Sequence, residues 1–142
     1  MNLFRKLKRL FCIGRHRSTV PTGFLPLSEI RSAVIYMDLD ESGGEPLKLR
    51  LKDFFGKQGI DLRLLSPHDK DIRTSSDLFI ALNARPCIDE RYAATSSTAR
   101  FKIGRHQLRK GVYDFIVTDQ EDAHAPVSSV FDVIVNLITS IR

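Results

Sequence analysis

Two aspartates one residue apart, Asp38 and Asp40, stand where the apolar run SAVIYMDL of Ser32 to Leu39 gives way to Glu41, Ser42, Gly43 and Gly44. Carboxylates at the end of a buried strand can attack phosphorus, pass a proton, or hold Mg2+, a cation that takes oxygen ligands. Other polar residues follow the remaining apolar runs: Ser66 and His68; Asn83 and Arg85; Gly104 and Arg105; Asp119, Glu121 and Asp122. In an open α/β sheet, ligands bind outside the carboxyl ends of the strands, so these positions are where site residues are sought. A basic stretch, Arg100, Lys102, Arg105, His106, Arg109 and Lys110, lies between the acidic loops, and the segment from Arg91 to Tyr113 contains no acid. Opposed charges at one sheet edge suit a metal-bound phosphate; the plainer expectation is that polar loops carry solvated charge.

Other chemistries find less support. His16, His68, His106 and His124 have no metal-ligand spacing, and the chain has no Gly-x-Gly-x-x-Gly or Walker loop. Ser96 and Ser97 lack the elbow sequence of a nucleophile, and Cys87 has no histidine at a telling spacing. The basic stretch has a single neighbouring aromatic, Tyr113, so no specific nucleic-acid partner is expected. No cofactor is expected either, except Mg2+ held by Asp38, Asp40 and Asp119 if the aspartates act on phosphate.

The elements that must position these residues are read from periodicity. Ser32 to Leu39 predicts a buried strand. A helix then begins around Pro46, with Leu47, Leu51, Phe54 and Phe55 on one side and Gly59 as its C-terminal cap, and Ile60 to Leu65 completes a β-α-β unit. Asp77 to Leu82 predicts a third strand, and Ile88, Tyr92 and Ala99 give a weak helical face over 88–98. A short strand, Arg100 to Ile103, is stopped by Gly104, and Tyr113 to Thr118 predicts the best strand after the first. From Pro126 onward, Val127, Val130, Phe131, Ile134, Leu137, Ile138 and Ile141 follow the 3.6-residue period of a closing helix. The expected fold class is α/β: a small doubly wound, mostly parallel sheet of four or five strands with helices on both faces. One joint is tight, because a parallel crossover usually needs roughly 12 residues and fewer separate Gly104 from Tyr113.

The formal charge of +5 hides a division of the chain. The first 18 residues carry six cations and no acid; the remaining 124 carry 16 cations and 17 acids. Within residues 1–14, Leu3, Phe4, Leu7, Leu10 and Phe11 form one apolar stripe of a helix, with Arg5, Lys6, Lys8 and Arg9 between them. Such a helix is expected to contact an anionic membrane surface or a protein partner, since a merely solvated tail has no need of five large apolar residues. Residues 15–26, rich in Ser, Thr, Pro and Gly, read as a linker, and 27–142 as a single domain. Two cysteines, no export signal and no spanning segment suit a cytoplasmic protein, peripheral on the inner membrane if the helix binds lipid.

Two resemblances add to this. The stretch DLFIALN, then IDERYAATSSTARFKIGR, then YDFIV resembles an uncharacterised family of small proteins of the Bacteroides group, known only as a domain of unknown function. Its most specific piece is Ser96 or Ser97 followed by Ala99 to Gly104, and the likeness covers most of 27–142, with a shorter middle here. It implies a cytoplasmic bacterial α/β protein without established activity, and makes Asn83, Arg100, Lys102 and Gly104, with Arg105 beside them, the candidate ligand-binding residues. Separately, IYMDLDES resembles the first motif of haloacid-dehalogenase-type phosphatases. That likeness implies Asp38 as nucleophile, Asp40 as acid and base, Ser66 and Lys102 as phosphate contacts, and Asp119 with Asp122 at the metal. It departs from that pattern at Glu41-Ser42 and Thr118-Asp119 and leaves no room for a cap. The expected function is a non-enzymatic binding or scaffold module held at a membrane or partner, with a Mg-dependent phosphoryl-transfer or phosphate-binding protein as the alternative and the small-molecule ligand unknown.

Overall fold

Among the described residues five parallel strands form one sheet in the order β2-β1-β3-β4-β5, with β1 at Ser32–Tyr36, β2 at Asp61–Leu65, β3 at Leu78–Ala81, β4 at Phe101–Gly104 and β5 at Phe115–Ile116. Three α-helices among the described residues accompany them: α1 at Gly44–Lys57, α2 at Ile88–Ser96 and α3 at Val127–Ser140. This computed structural model describes residues 25–37, 44–66, 69, 74–83, 87–106, 112–117 and 127–140. The α/β class and the parallel sheet expected from the alternation of apolar runs are present. The N-terminal stripe of Leu3 to Phe11 lies outside the described residues.

Alternation along each strand divides the interior in two. Ala33, Ile35 and Met37 of β1 and its end, Leu78, Ile80 and Leu82 of β3 and its end, and Phe101 and Ile103 of β4 face α1 and α3. Val34, Tyr36, Phe79 and Ala81 face α2. Right-handed crossovers account for this: β1 to β2 and β3 to β4 run in opposite directions across the sheet, so α1 and α2 fall on opposite faces. On the first face Leu47, Leu51 and Phe55 of α1 meet Val130, Phe131, Ile134 and Ile138 of α3. Arg50 of α1 ion-pairs with Asp132 of α3 and lies 5.2 Å above the Phe131 ring. The second face is built on small residues, Ala93, Ala94 and Ala99, which let α2 lie close to the sheet.

The end of α1 shows how local chemistry sets an element. Ile60 donates its amide to the Phe55 carbonyl at 3.0 Å, and Gly59 donates to Gly56 at 3.1 Å. These are the two bonds of a Schellman turn, which needs a left-handed residue between them; Gly59 supplies it at φ 70. The buried pair Phe55 and Ile60 adds the apolar contact that accompanies this motif, and the chain enters β2 directly.

The expected strand Tyr113 to Thr118 is the largest departure. β5 is two residues long and half-buried, and it begins at Phe115. Tyr113 is instead drawn into the α2 face, while Asp114 closes on β4: its amide donates to the Lys102 carbonyl at 2.8 Å and its carboxylate accepts from the Lys102 amide at 2.8 Å. The tight joint is therefore real, and β4 and β5 are neighbours with Ile103 opposite Phe115 and Gly104 opposite Ile116.

Candidate functional site

From β1 the chain crosses to β2 on one side and then returns to β3 on the other, so the carboxyl ends of β1 and β3 flank the topological switch point where ligands of such sheets bind. Tyr36 ends β1 with its side chain fully buried on the α2 face. Its hydroxyl is 3.4 Å from Cys87 Sγ. Cys87 is the N-cap of α2, in extended backbone, and its sulfur accepts the amide of Glu90 at 3.4 Å. Serine or threonine usually fills that place, and a glutamate three residues on is the second half of a capping box.

Glu90 carries the unusual chemistry of this edge. Its side chain is 0% exposed, and it accepts the Tyr113 hydroxyl on Oε1 at 3.1 Å. Among the described residues Oε2 has no hydrogen-bond partner. Burial pushes the carboxyl from 4.5 up to about 7, and the Tyr113 hydroxyl, the Asn83 side chain, the Cys87 amide and the Arg105 guanidinium hold it from going higher by favouring the charged form. The same burial raises Cys87, Tyr36 and Tyr113 above their ordinary values. Cys87 is thus kept as a thiol, not the thiolate that attacks or ligates. Of these four groups, Glu90 is the one whose proton is exchanged around neutral pH.

Gly104 explains how Tyr113 reaches Glu90. A Cβ on Gly104 would stand 2.3 Å from Tyr113 Cε2 and 2.5 Å from Cδ2 and Cζ, so the tyrosine ring lies in the space a side chain would fill. Beside it, Arg105 is buried and donates from Nη1 to the Leu82 carbonyl at 3.1 Å, and His106 Nε2 is 3.1 Å from the Asn83 carbonyl. These contacts tie the carboxyl end of β4 to that of β3.

The residues singled out from sequence are therefore dispersed. Asn83, Gly104 and Arg105 gather at the carboxyl edge. Arg100 is exposed at the opposite, amino end of β4. Lys102 is buried, and its ammonium donates to the Ala94 carbonyl at 2.9 Å, in the last turn of α2, where unpaired carbonyls and the helix dipole favour a cation. Arg100, Lys102 and Arg105 of the basic stretch do not form one patch, because β4 carries them from one edge of the sheet to the other and Lys102 and Arg105 are buried. Ser66 closes a small turn, its amide donating to Asp69 Oδ2 at 2.8 Å. Asp38, Asp40, Asp119, Asp122, Glu121, His68 and Arg85 lie outside the described residues. Among the described residues no three His, Cys, Asp or Glu side chains are grouped to hold a metal ion, and no helix is long and apolar enough to cross a membrane.

Sequence reasoning passed over Glu90, Tyr36 and Tyr113 as parts of a site. A signal for Glu90 was present: its spacing of three from Cys87 at a loop-to-helix junction is that of a capping box. No signal marked Tyr36, which sits in an apolar run and reads as core.

Comparison with protein-family models, with curated proteins and with solved structures found no match. The reading of this edge rests on its own geometry.

Proposed function

We propose that this protein is a non-enzymatic docking module, an α/β domain held at an anionic membrane surface by its cationic N-terminal segment. The observation that supports a non-enzymatic role is the inward use of the polar groups beyond β1, β3 and β4. Tyr36 meets Cys87, Tyr113 binds Glu90, and Arg105 bonds the Leu82 carbonyl, so this edge spends its chemistry on its own packing. Attachment is assigned to residues 1–14 by their charge and apolar stripe. Leu25 is buried in the main core with Ile30, so only residues 15–24 separate that segment from the body of the domain. Each cation near an anionic surface contributes about 1 kcal/mol, so the four cations of residues 1–14, with Arg15 and Arg17 just beyond them, are enough for reversible attachment.

Vesicle flotation tests this. The full chain is expected to float with vesicles containing phosphatidylglycerol, and a variant with Arg5, Lys6, Lys8 and Arg9 all changed to Gln to stay at the bottom of the gradient. If both behave alike, the membrane reading fails; attachment to a protein partner then takes its place.

One observation favours a second reading, Mg-dependent phosphoryl transfer. Met37, buried at the end of β1, leads the chain at the switch point directly into Asp38-x-Asp40. The resemblance to haloacid-dehalogenase-type phosphatases would give Asp38 the nucleophile's role and set Mg2+ on Asp38, Asp40 and Asp119. The ammonium of Lys102, bound at the C-terminal turn of α2, does not suit the phosphate contact that this resemblance implies. The measurement is Mg-dependent release of phosphate from a generic ester; release unchanged in Asp38→Asn removes the reading.

A further inference from the structure

β2 is one margin of the sheet. The Asp61 amide donates to the Arg31 carbonyl at 2.9 Å, and the Leu65 carbonyl accepts the Met37 amide at 3.0 Å. Main-chain direction alternates along a strand, so Asp61, Arg63 and Leu65 turn their N–H and C=O groups to β1. Leu62 and Leu64 turn theirs to the other side, where no strand among the described residues pairs with β2. The side chains alternate between the faces: Leu62 and Leu64, half-buried, extend the apolar layer under α1, whereas Asp61 and Arg63 are exposed on the other face. Neither charge makes an ion pair among the described residues.

We propose that β2 pairs antiparallel with β2 of a second copy of this chain, about a two-fold axis through Leu62. An edge strand with unpaired main-chain groups is a template for another strand. In an antiparallel pair, outward-turned residues must face one another, so a two-fold axis falls on a residue of β2. An axis through Asp61 or Arg63 sets like charges against each other, and one through Leu64 sets Arg63 against Leu65. The axis through Leu62 sets Asp61 opposite Arg63 of the other copy, twice, by symmetry. These are non-hydrogen-bonded positions, where facing side chains come closest. A lone charge on an edge strand discourages pairing; opposite charges two residues apart discourage every register but the self-complementary one. The result joins two sheets into one and covers the half-exposed Leu62 and Leu64 of both copies.

Sedimentation equilibrium of the full chain over a range of concentrations reads the association. Wild type is expected to dimerise. Asp61→Arg and Arg63→Asp each replace two attractive pairs by two repulsive ones and are expected to weaken the dimer by about tenfold or more. Mixing the two variants restores association as a heterodimer, and the double variant D61R/R63D restores the homodimer. Circular dichroism and thermal unfolding of each variant verify that the monomer is folded, since both positions are exposed. A wild type that stays monomeric up to about 1 mM, a dimer indifferent to both reversals, or a mixture that fails to reassociate overturns the proposal.

Discussion

On one face of the sheet α1 and α3 close over leucine, isoleucine and phenylalanine, with Phe54 edge-on to both Phe55 and Phe131 at centroid distances of 5.1 and 5.8 Å. On the other face α2 rests on alanines and shelters Tyr36, Glu90, Lys102 and Tyr113, each committed to a particular partner. The first face draws its stability from buried area, which is non-directional and indifferent to protonation. The second depends on a few hydrogen bonds in a low dielectric, where geometry and charge state decide the sign of each contribution. The two layers share the same strands, so the contrast arises from which residue of each strand turns to which side.

The sharpest way to break the first face is Phe131→Ala. Phe131 is fully buried at the meeting of α1 and α3, and the loss is expected to be about 3–5 kcal/mol, measured by chemical denaturation. Its magnitude should be the same at pH 5 and pH 8, because what the substitution removes is buried apolar contact.

The second face should respond to pH. Glu90 has a folded-state value of about 7 against 4.5 when free, so between those values the folded chain binds more protons than the unfolded one. Its contribution is therefore greatest at and below pH 4.5, declines as the pH rises toward 7, and is flat above. The total decline is on the order of 3 kcal/mol. Glu90→Gln keeps an acceptor for the Tyr113 hydroxyl and removes the buried charge. The stability difference between the variant and wild type, followed against pH, should grow in favour of the variant from pH 4.5 to 7. A pH-independent difference would show that Glu90 is not held neutral by burial.

A smaller effect is expected from Gly104→Ala. The added methyl meets the body of the Tyr113 ring and must push it from Glu90, at about 1–3 kcal/mol. If the comparison between faces is right, the variant also becomes more pH-dependent, since Glu90 then loses a hydrogen bond that favours its charged form and its folded value rises further from 4.5. Thermal unfolding at pH 5 and pH 8 reads both effects.

How far the sequence foretold these two faces differs in the same way. The apolar face announces itself by period: Leu47, Leu51 and Phe55, then Val130, Phe131, Ile134 and Ile138, recur at helical spacing, and these are the residues that meet. The parallel sheet followed from the near-continuous runs of β1 and β3. The polar face gives no such signal, because it is assembled from single residues on β1, β4, α2 and the segment before β5, brought together only by the fold. Tyr113, Phe115 and Val117 alternate as a strand should, yet the notch over Gly104 captures the tyrosine ring and leaves a two-residue strand. Lys102 shows the reverse case: its charge suggested a ligand contact, and the register of β4 turned it to the C-terminal turn of α2.

The central claim is that the carboxyl edge beside α2 is a closed polar core with Glu90 as its exchangeable proton. Carbon-13 NMR titration of the glutamate side-chain carboxyls, with Glu90→Gln to assign the signal, tests it most directly. Glu90 is expected to titrate around pH 7. A Glu90 midpoint at the ordinary value of 4.5 would contradict it, because a carboxylate that ionises so readily is in contact with water.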